Sequence, residues 1–135
     1  MKFIYATTCL AIANIAAGVP TANSALEQRD ENAPQVTGDL TAYYQNGGTG
    51  SCGQKHGDND FIVALSSKYM KQFKSPNCGR HLTARNPKTG KTARVMVADT
   101  CDGCKGDDVD FSIGAWNAIT NNAALSRTRV TWDWS

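Results

Sequence analysis

The sequence predicts a small, mainly β domain with one or two short helices, held together by two disulfides. Three observations carry this expectation. Short runs rich in Thr, Tyr and Val are separated by clusters of Gly, Pro and Asn, the pattern of brief strands joined by turns. Lys2 is followed by an apolar run from Phe3 to about Val19 and then by small residues up to Ala25, the order of a secretory signal peptide. Five cysteines are present, and setting aside Cys9 inside that leader leaves Cys52, Cys78, Cys101 and Cys104 for an oxidising compartment.

The leader falls short of the ~20 apolar residues a membrane span needs and has no cationic stop beyond it. Residues 1–24 are therefore read as a signal peptide, with Ala22 and Ser24 suiting the cleavage site, and the protein is expected to be extracellular. Residues 25–37 are polar, contain Pro34 and show neither hydrophobic period, so a disordered segment is expected there. One domain, residues 38–135, follows.

Within it, Leu40 to Gln45 reads as a strand that ends in the Asn46-Gly47-Gly48-Thr49-Gly50 loop before Cys52. Phe61 to Leu65 is a short apolar run suited to a buried strand. Ser66 or Ser67 then caps a helical turn through about Phe73, with Lys68, Lys71 and Lys74 leaving one side wet. His81–Asn86 and Thr92–Ala98 flank the turn Pro87-Lys88-Thr89-Gly90 and are expected to pair as a hairpin. Ser112 caps a helix carrying Ile113, Trp116 and Ile119, which stops at Asn121-Asn122, and a last strand runs from Thr128 to Trp134.

The formal charge of +2 includes Lys2 and gives no global field for nucleic acid or membrane, but its distribution is uneven. Lys55 to Arg94 holds nine Lys/Arg against Asp58 and Asp60, whereas Val95 to Ser135 holds three against six Asp. An acidic centre beside a basic surface is expected. The acidic part is densest in Asp99–Asp110, where five carboxylates and two cysteines fall within twelve residues between a strand and a helix. Like charges held close raise one another's pKa, which lets a carboxylic acid remain protonated and donate. Asp99 and Asp110 stand out because each adjoins an apolar segment.

The run lacks the ligand order of an EF-hand. Cys101-x-x-Cys104 alone suits a disulfide, a redox pair or half a zinc site; in a secreted chain the disulfide reading is the stronger, and no metal is expected. Tyr43, Tyr44, Phe111, Trp116, Trp132 and Trp134 supply flat rings of the kind that stack on sugar faces. Trp132 and Trp134 share a strand face, so at least one belongs to the core. Tyr44, beside the Gly-rich loop, is the best surface candidate. His56 and His81 have no nucleophile context and are read as surface residues.

Thr-Ala-Tyr-Tyr (41–44), Gly-Ser-Cys-Gly (50–53), Val-Ala-Leu-Ser (63–66), Asn-Cys-Gly-Arg (77–80), the run 93–104, Val-Asp-Phe-Ser (109–112) and the final Val-Thr-Trp-Asp-Trp together resemble an expansin-like barrel domain. The ordered set covers residues 38–135 and is similar to the double-psi β-barrel group of expansins, barwin, kiwellins and bacterial rare lipoprotein A, nearest to short single-domain fungal members, the loosenins. The resemblance implies a six-stranded double-psi β-barrel with a shallow glycan groove, no cofactor, and bridges Cys52–Cys78 and Cys101–Cys104. It matches Asp110 to the key aspartate before the helix, Asp99 to the aspartate ending the preceding strand, and Tyr44 to the groove tyrosine; Tyr43 and Trp116 are the further glycan-binding candidates. The second, carbohydrate-binding domain of expansins has no counterpart here, and Asp110 follows Asp108-Val109 instead of His-Phe.

Inverting endoglucanases of this barrel carry a base just after the first-strand tyrosine, where this chain has Gln45 and Asn46. An amide cannot accept that proton, so hydrolysis is disfavoured. The expected function is a secreted, monomeric, non-hydrolytic binder that loosens cellulose or chitin in cell walls. Two alternatives stay open: a lytic transglycosylase using the single acid Asp110, and a protein-binding module such as a protease inhibitor or effector.

Overall fold

A computed structural model describes residues 35–135. The expected signal peptide and the polar segment up to residue 34 lie outside the described residues. Six strands and one helix follow in the order β1 (Val36–Tyr43), β2 (Ile62–Leu65), β3 (His81–Arg85), β4 (Thr92–Thr100), β5 (Val109–Ser112), α1 (Ile113–Thr120) and β6 (Thr128–Trp134). They close into a barrel with the spatial order β1-β5-β2-β4-β3-β6.

The β3–β4 hairpin forms as its Pro/Gly turn requires, with Leu82 opposite Val95 and Ala84 opposite Ala93. Two pairs, β1–β5 and β2–β4, are parallel. Parallel neighbours cannot be joined by a tight turn: β2 returns to β4 only through residues 66–91, by way of β3, and β1 is joined to β5 only through all of the chain between them. The loops 44–61 and 101–108, which lead from β1 to β2 and from β4 to β5, flank the strands that carry Asp99 and Asp110.

Alternation fills the interior. Leu40, Val63, Leu65, Leu82, Val95, Val97, Val109, Phe111, Val130 and Trp132 are all at most 1 % exposed. Helix α1 adds Ala115, Trp116 and Ile119 to the same cluster. It ends as its sequence predicts, with Asn121 left-handed at φ 59° and its N–H on the Asn117 carbonyl.

Three local expectations change. β1 begins at Val36, because Val36 and Thr37 pair with Trp132 and Thr131 of β6, so the last two residues of the expected disordered segment are strand. The segment after Ser66 makes only a turn: the Ser66 carbonyl accepts the N–H groups of Tyr69 and Met70, while its hydroxyl donates to the Gly106 carbonyl at 2.6 Å. Ser112 stands at the N-cap of α1 without capping it, since its hydroxyl donates to the Asp60 carbonyl and accepts the Ile62 N–H. The four cysteines pair as Cys52–Cys78 and Cys101–Cys104, which leaves no thiolate for zinc among them.

Candidate functional site

One row of residues crosses four neighbouring strands. Thr41 of β1 is opposite Asp110 of β5, Asp110 is opposite Ala64 of β2, and Ala64 is opposite Asp99 of β4. Residues in register across a sheet share a face. Val109 and Phe111 point into the core, so Asp110 faces outward, with Thr41 and Tyr43 on the same face of β1.

Asp99 reaches this face through a bulge. Ala93, Val95 and Val97 point inward, and strict alternation would send Asp99 into the barrel. The register shifts between Val63, opposite Val97, and Ala64, opposite Asp99, so Ala98 is the extra residue and every side chain beyond it changes sides. The small Ala64 side chain lies between the two carboxylates, whose Cα atoms are two strand spacings apart, ~10 Å.

Each carboxylate is held differently. The Thr41 hydroxyl donates to Asp110 Oδ1 at 2.9 Å, leaving Oδ2 for a ligand. Burial pushes the Asp110 carboxyl above the usual carboxylate range, the Thr41 bond opposes this, and the nearby Asp99 charge adds to it. Asp99 Oδ1 instead accepts two backbone N–H groups, from Ser51 and Thr100, each at 2.8 Å. The Gly-rich loop must lie flat on β4 to supply the Ser51 donor. Gly50 permits this, because a Cβ there would fall on the Ala98 carbonyl oxygen and within 3.1 Å of the Asp99 carboxyl carbon.

Tyr43 completes the cluster. Burial pushes its hydroxyl up to about 12, the Gln45 side chain works against this, and the charges of Asp99 and Asp110 add to it. It therefore remains a proton donor at any working pH. Among the described residues, both the Tyr43 hydroxyl and Gln45 Nε2 are buried without a hydrogen-bond partner. Both atoms are enclosed, and the side chains that act on the Tyr43 hydroxyl are those of Gln45 and Asp99.

The other candidates separate. Tyr44, at the end of β1, is 56 % exposed and available for stacking. Trp116 is a correction: it is 1 % exposed and its Nε1 donates to the Ala123 carbonyl at 2.8 Å, so it packs in the core and cannot stack on a ligand. Trp132 is equally buried, while Trp134 is partly buried beneath the Arg80 guanidinium. His56 is not a free surface residue, since its side chain is half-buried against Asp60 with Nδ1 3.6 Å from Oδ2.

Sequence reasoning missed Thr41, Ser51 and Asp58. Thr41 sits two residues before Tyr43 and shares its face, a signal that was present. Asp58 accepts the Gln45 N–H at 2.6 Å, and its carbonyl accepts the Gly114 N–H at 2.8 Å. Gly114 is needed there because a Cβ would come within 2.9 Å of the Asn59 backbone.

No family model matches the chain. Ripening-related protein 6 of Oryza sativa subsp. japonica is 32 % identical over 91 residues, covering 64 % of this chain and 53 % of the relative. The chain spans about half the length of the curated relatives it matches. Among solved structures, the expansin of Clavibacter michiganensis superposes with a TM-score of 0.61 at 29 % identity, covering 76 % of this chain and 50 % of that one.

The barrel is expansin-like.

The same fold extends to the Streptomyces papain inhibitor, with a TM-score of 0.61 at 24 % identity over 75 % of this chain and 94 % of that one, a likeness of fold alone. Within the expansin-like barrel the candidate groove is the outer face bearing Thr41, Tyr43, Asp110 and Asp99, with Tyr44 at its edge. The arrangement can offer one protonatable oxygen, on Asp110, and one exposed ring, Tyr44, to a hydroxyl-rich ligand.

Proposed function

We propose that this protein is an extracellular, non-hydrolytic expansin-like protein that binds cell-wall polysaccharide, cellulose or chitin, and loosens its packing. The observation that carries the reading is the Thr41–Asp110–Ala64–Asp99 row, in which burial and a neighbouring charge favour the protonated form of Asp110 on an open face. In that form Oδ2 donates to a glycan oxygen. Burial favours that protonated form and the Asp99 charge adds to it, Tyr43 backs the two carboxylates from beneath, and Tyr44 stacks on a sugar face. Competing with the hydrogen bonds between packed chains would loosen them without breaking a covalent bond.

Hydrolysis is disfavoured by the amides Gln45 and Asn46 at the position of the base. Asp58 is a carboxylate beside Gln45 whose Oδ1 accepts the Gln45 N–H. A structure of the Clavibacter michiganensis expansin in complex with cellohexaose, a relative 27 % identical, supports a β-glucan as ligand class.

The test incubates the purified protein with insoluble cellulose and chitin and measures both retention and soluble sugar. Retention on at least one glycan is expected, falling by on the order of tenfold in Asp110→Ala, which removes the donor, with no soluble sugar released. Catalytic sugar release abolished by Asp110→Asn would overturn the reading in favour of a lytic enzyme. Absence of retention on every glycan, with tight binding to a cysteine protease, would replace it with protein recognition.

A further inference from the structure

We infer that residues 66–78 form a second docking surface, cationic and aromatic, that takes a carboxylated wall polysaccharide of the polyuronate class. This surface is distinct from the aspartate groove, and its ligand is a different polymer.

The segment has no regular secondary structure but is fixed at many points. The Ser66 carbonyl accepts the Tyr69 and Met70 N–H groups, and the Tyr69 carbonyl accepts from the Ser75 hydroxyl at 3.3 Å and from Asn77 Nδ2 at 2.8 Å. The Lys74 N–H donates to the Ser51 carbonyl at 3.1 Å, and Cys78 is bonded to Cys52. A backbone tied down in this way presents its side chains at little further entropic cost.

What it presents is one exposed ring with a cation beside it, and further cations along the segment. Phe73 is 71 % exposed, with Lys74 Nζ 5.7 Å from its ring centroid. In the same segment Lys68, Lys71, Gln72 and Asn77 are among the residues that line a shallow cavity of about 310 Å³, to which Phe73 and Lys74 do not contribute. Lys68 is engaged by Asp107 at 2.7 Å, but Lys71, Lys74 and Arg80 have no ion pair among the described residues. Arg80 is oriented by Asn77 Oδ1 at 2.8 Å and lies 3.8 Å over the Trp134 ring centroid.

Cations attract carboxylates and an isolated exposed ring stacks on a sugar face, so the combination fits a sugar acid polymer. A lipid surface is the poorer match, because Phe73 is the one large apolar residue exposed in the segment and interfacial binding needs a broader apolar face. Ser51 links the two surfaces: its N–H holds Asp99 and its carbonyl holds Lys74. The carboxylates of the groove repel a polyanion, which confines it to the lysine side.

The test measures retention on insoluble polygalacturonate and on its methyl-esterified form, for the wild type, K71Q/K74N and F73A. Asn suits position 74, where φ is 53°, so the double variant keeps the local backbone. Retention on polygalacturonate is expected to fall by on the order of tenfold in K71Q/K74N, and to weaken in the wild type between about 0.05 M and about 0.5 M salt. F73A is expected to weaken it at both salt levels, and the ester is expected to be retained poorly. Equal retention of acid and ester forms, or unchanged retention in K71Q/K74N, would overturn the inference. So would binding to phosphatidylserine vesicles, measured in parallel, with none to polygalacturonate. Cellulose and chitin binding by Asp110→Ala reads the groove separately, so failure of either surface is distinguishable.

Discussion

Replacing Trp132 by alanine is expected to lower stability by about 3–5 kcal/mol, a large part of the 5–15 kcal/mol typical of a domain. Trp132 is 1 % exposed and packs edge-on to Tyr69 and Trp134, with ring centroids 5.4 and 5.5 Å away. Its Nε1 also donates to the Asp107 carbonyl at 2.9 Å, which ties β6 to the crossover before Asp110. The loss therefore combines a cavity with an unpaired carbonyl. Trp132→Phe keeps most of the volume and is expected to cost about 1–3 kcal/mol, the part belonging to the carbonyl. Urea unfolding of both variants checks this, and an alanine variant within about 1 kcal/mol of the wild type would mean that the aromatic cluster does not anchor the barrel.

The two disulfides are expected to contribute unequally. Cys52–Cys78 closes a loop with sequence separation 26, and chain entropy then gives about 3.5 kcal/mol; Cys101–Cys104, with separation 3, gives about 1.6 kcal/mol. The first bridge also joins the Gly-rich loop, whose Ser51 holds Asp99, to the lysine-bearing segment. Cys52→Ser/Cys78→Ser is thus expected to destabilise the fold by the larger amount and to weaken glycan binding as well. Cys101→Ser/Cys104→Ser is expected to do less to stability. Denaturation midpoints of the two double variants decide it, and equal losses would contradict the loop-entropy account.

Much of the local structure was legible in the sequence, because it depends on neighbours along the chain. The β3–β4 hairpin follows from Pro87–Gly90, the end of α1 from Asn121, and β6 from the alternation around Trp132. β5 was not legible: Val-Asp-Phe-Ser is four residues long and becomes a strand only between β1 and β2, both distant in sequence. Closure of the barrel was equally non-local and came from the family resemblance.

The site was legible in composition and not in geometry. Asp99 and Asp110 were visible as carboxylates beside apolar segments, but the bulge at Ala98 that turns Asp99 outward depends on its pairing with β2. Trp116 looked like a groove ring because helical spacing cannot say which face the barrel covers. Tyr43 and Tyr44 are adjacent, and only the strand's orientation separates the buried donor from the exposed ring.

The central claim is that Asp110 acts as a protonated donor on an open face. Its raised pKa means that the folded protein retains a proton which the unfolded chain loses near its ordinary value of about 3.9. Stability from this group therefore falls as pH rises from there through the folded pKa, and binding is expected to fall in the same direction. Asp110→Asn keeps an oxygen for Thr41 and a permanent neutral donor. The most direct measurement is retention on insoluble glycan across about pH 3 to pH 8 for wild type and Asp110→Asn side by side. The account predicts wild-type binding that weakens as pH rises and a variant whose binding stays flat. Identical pH profiles for the two proteins would contradict it.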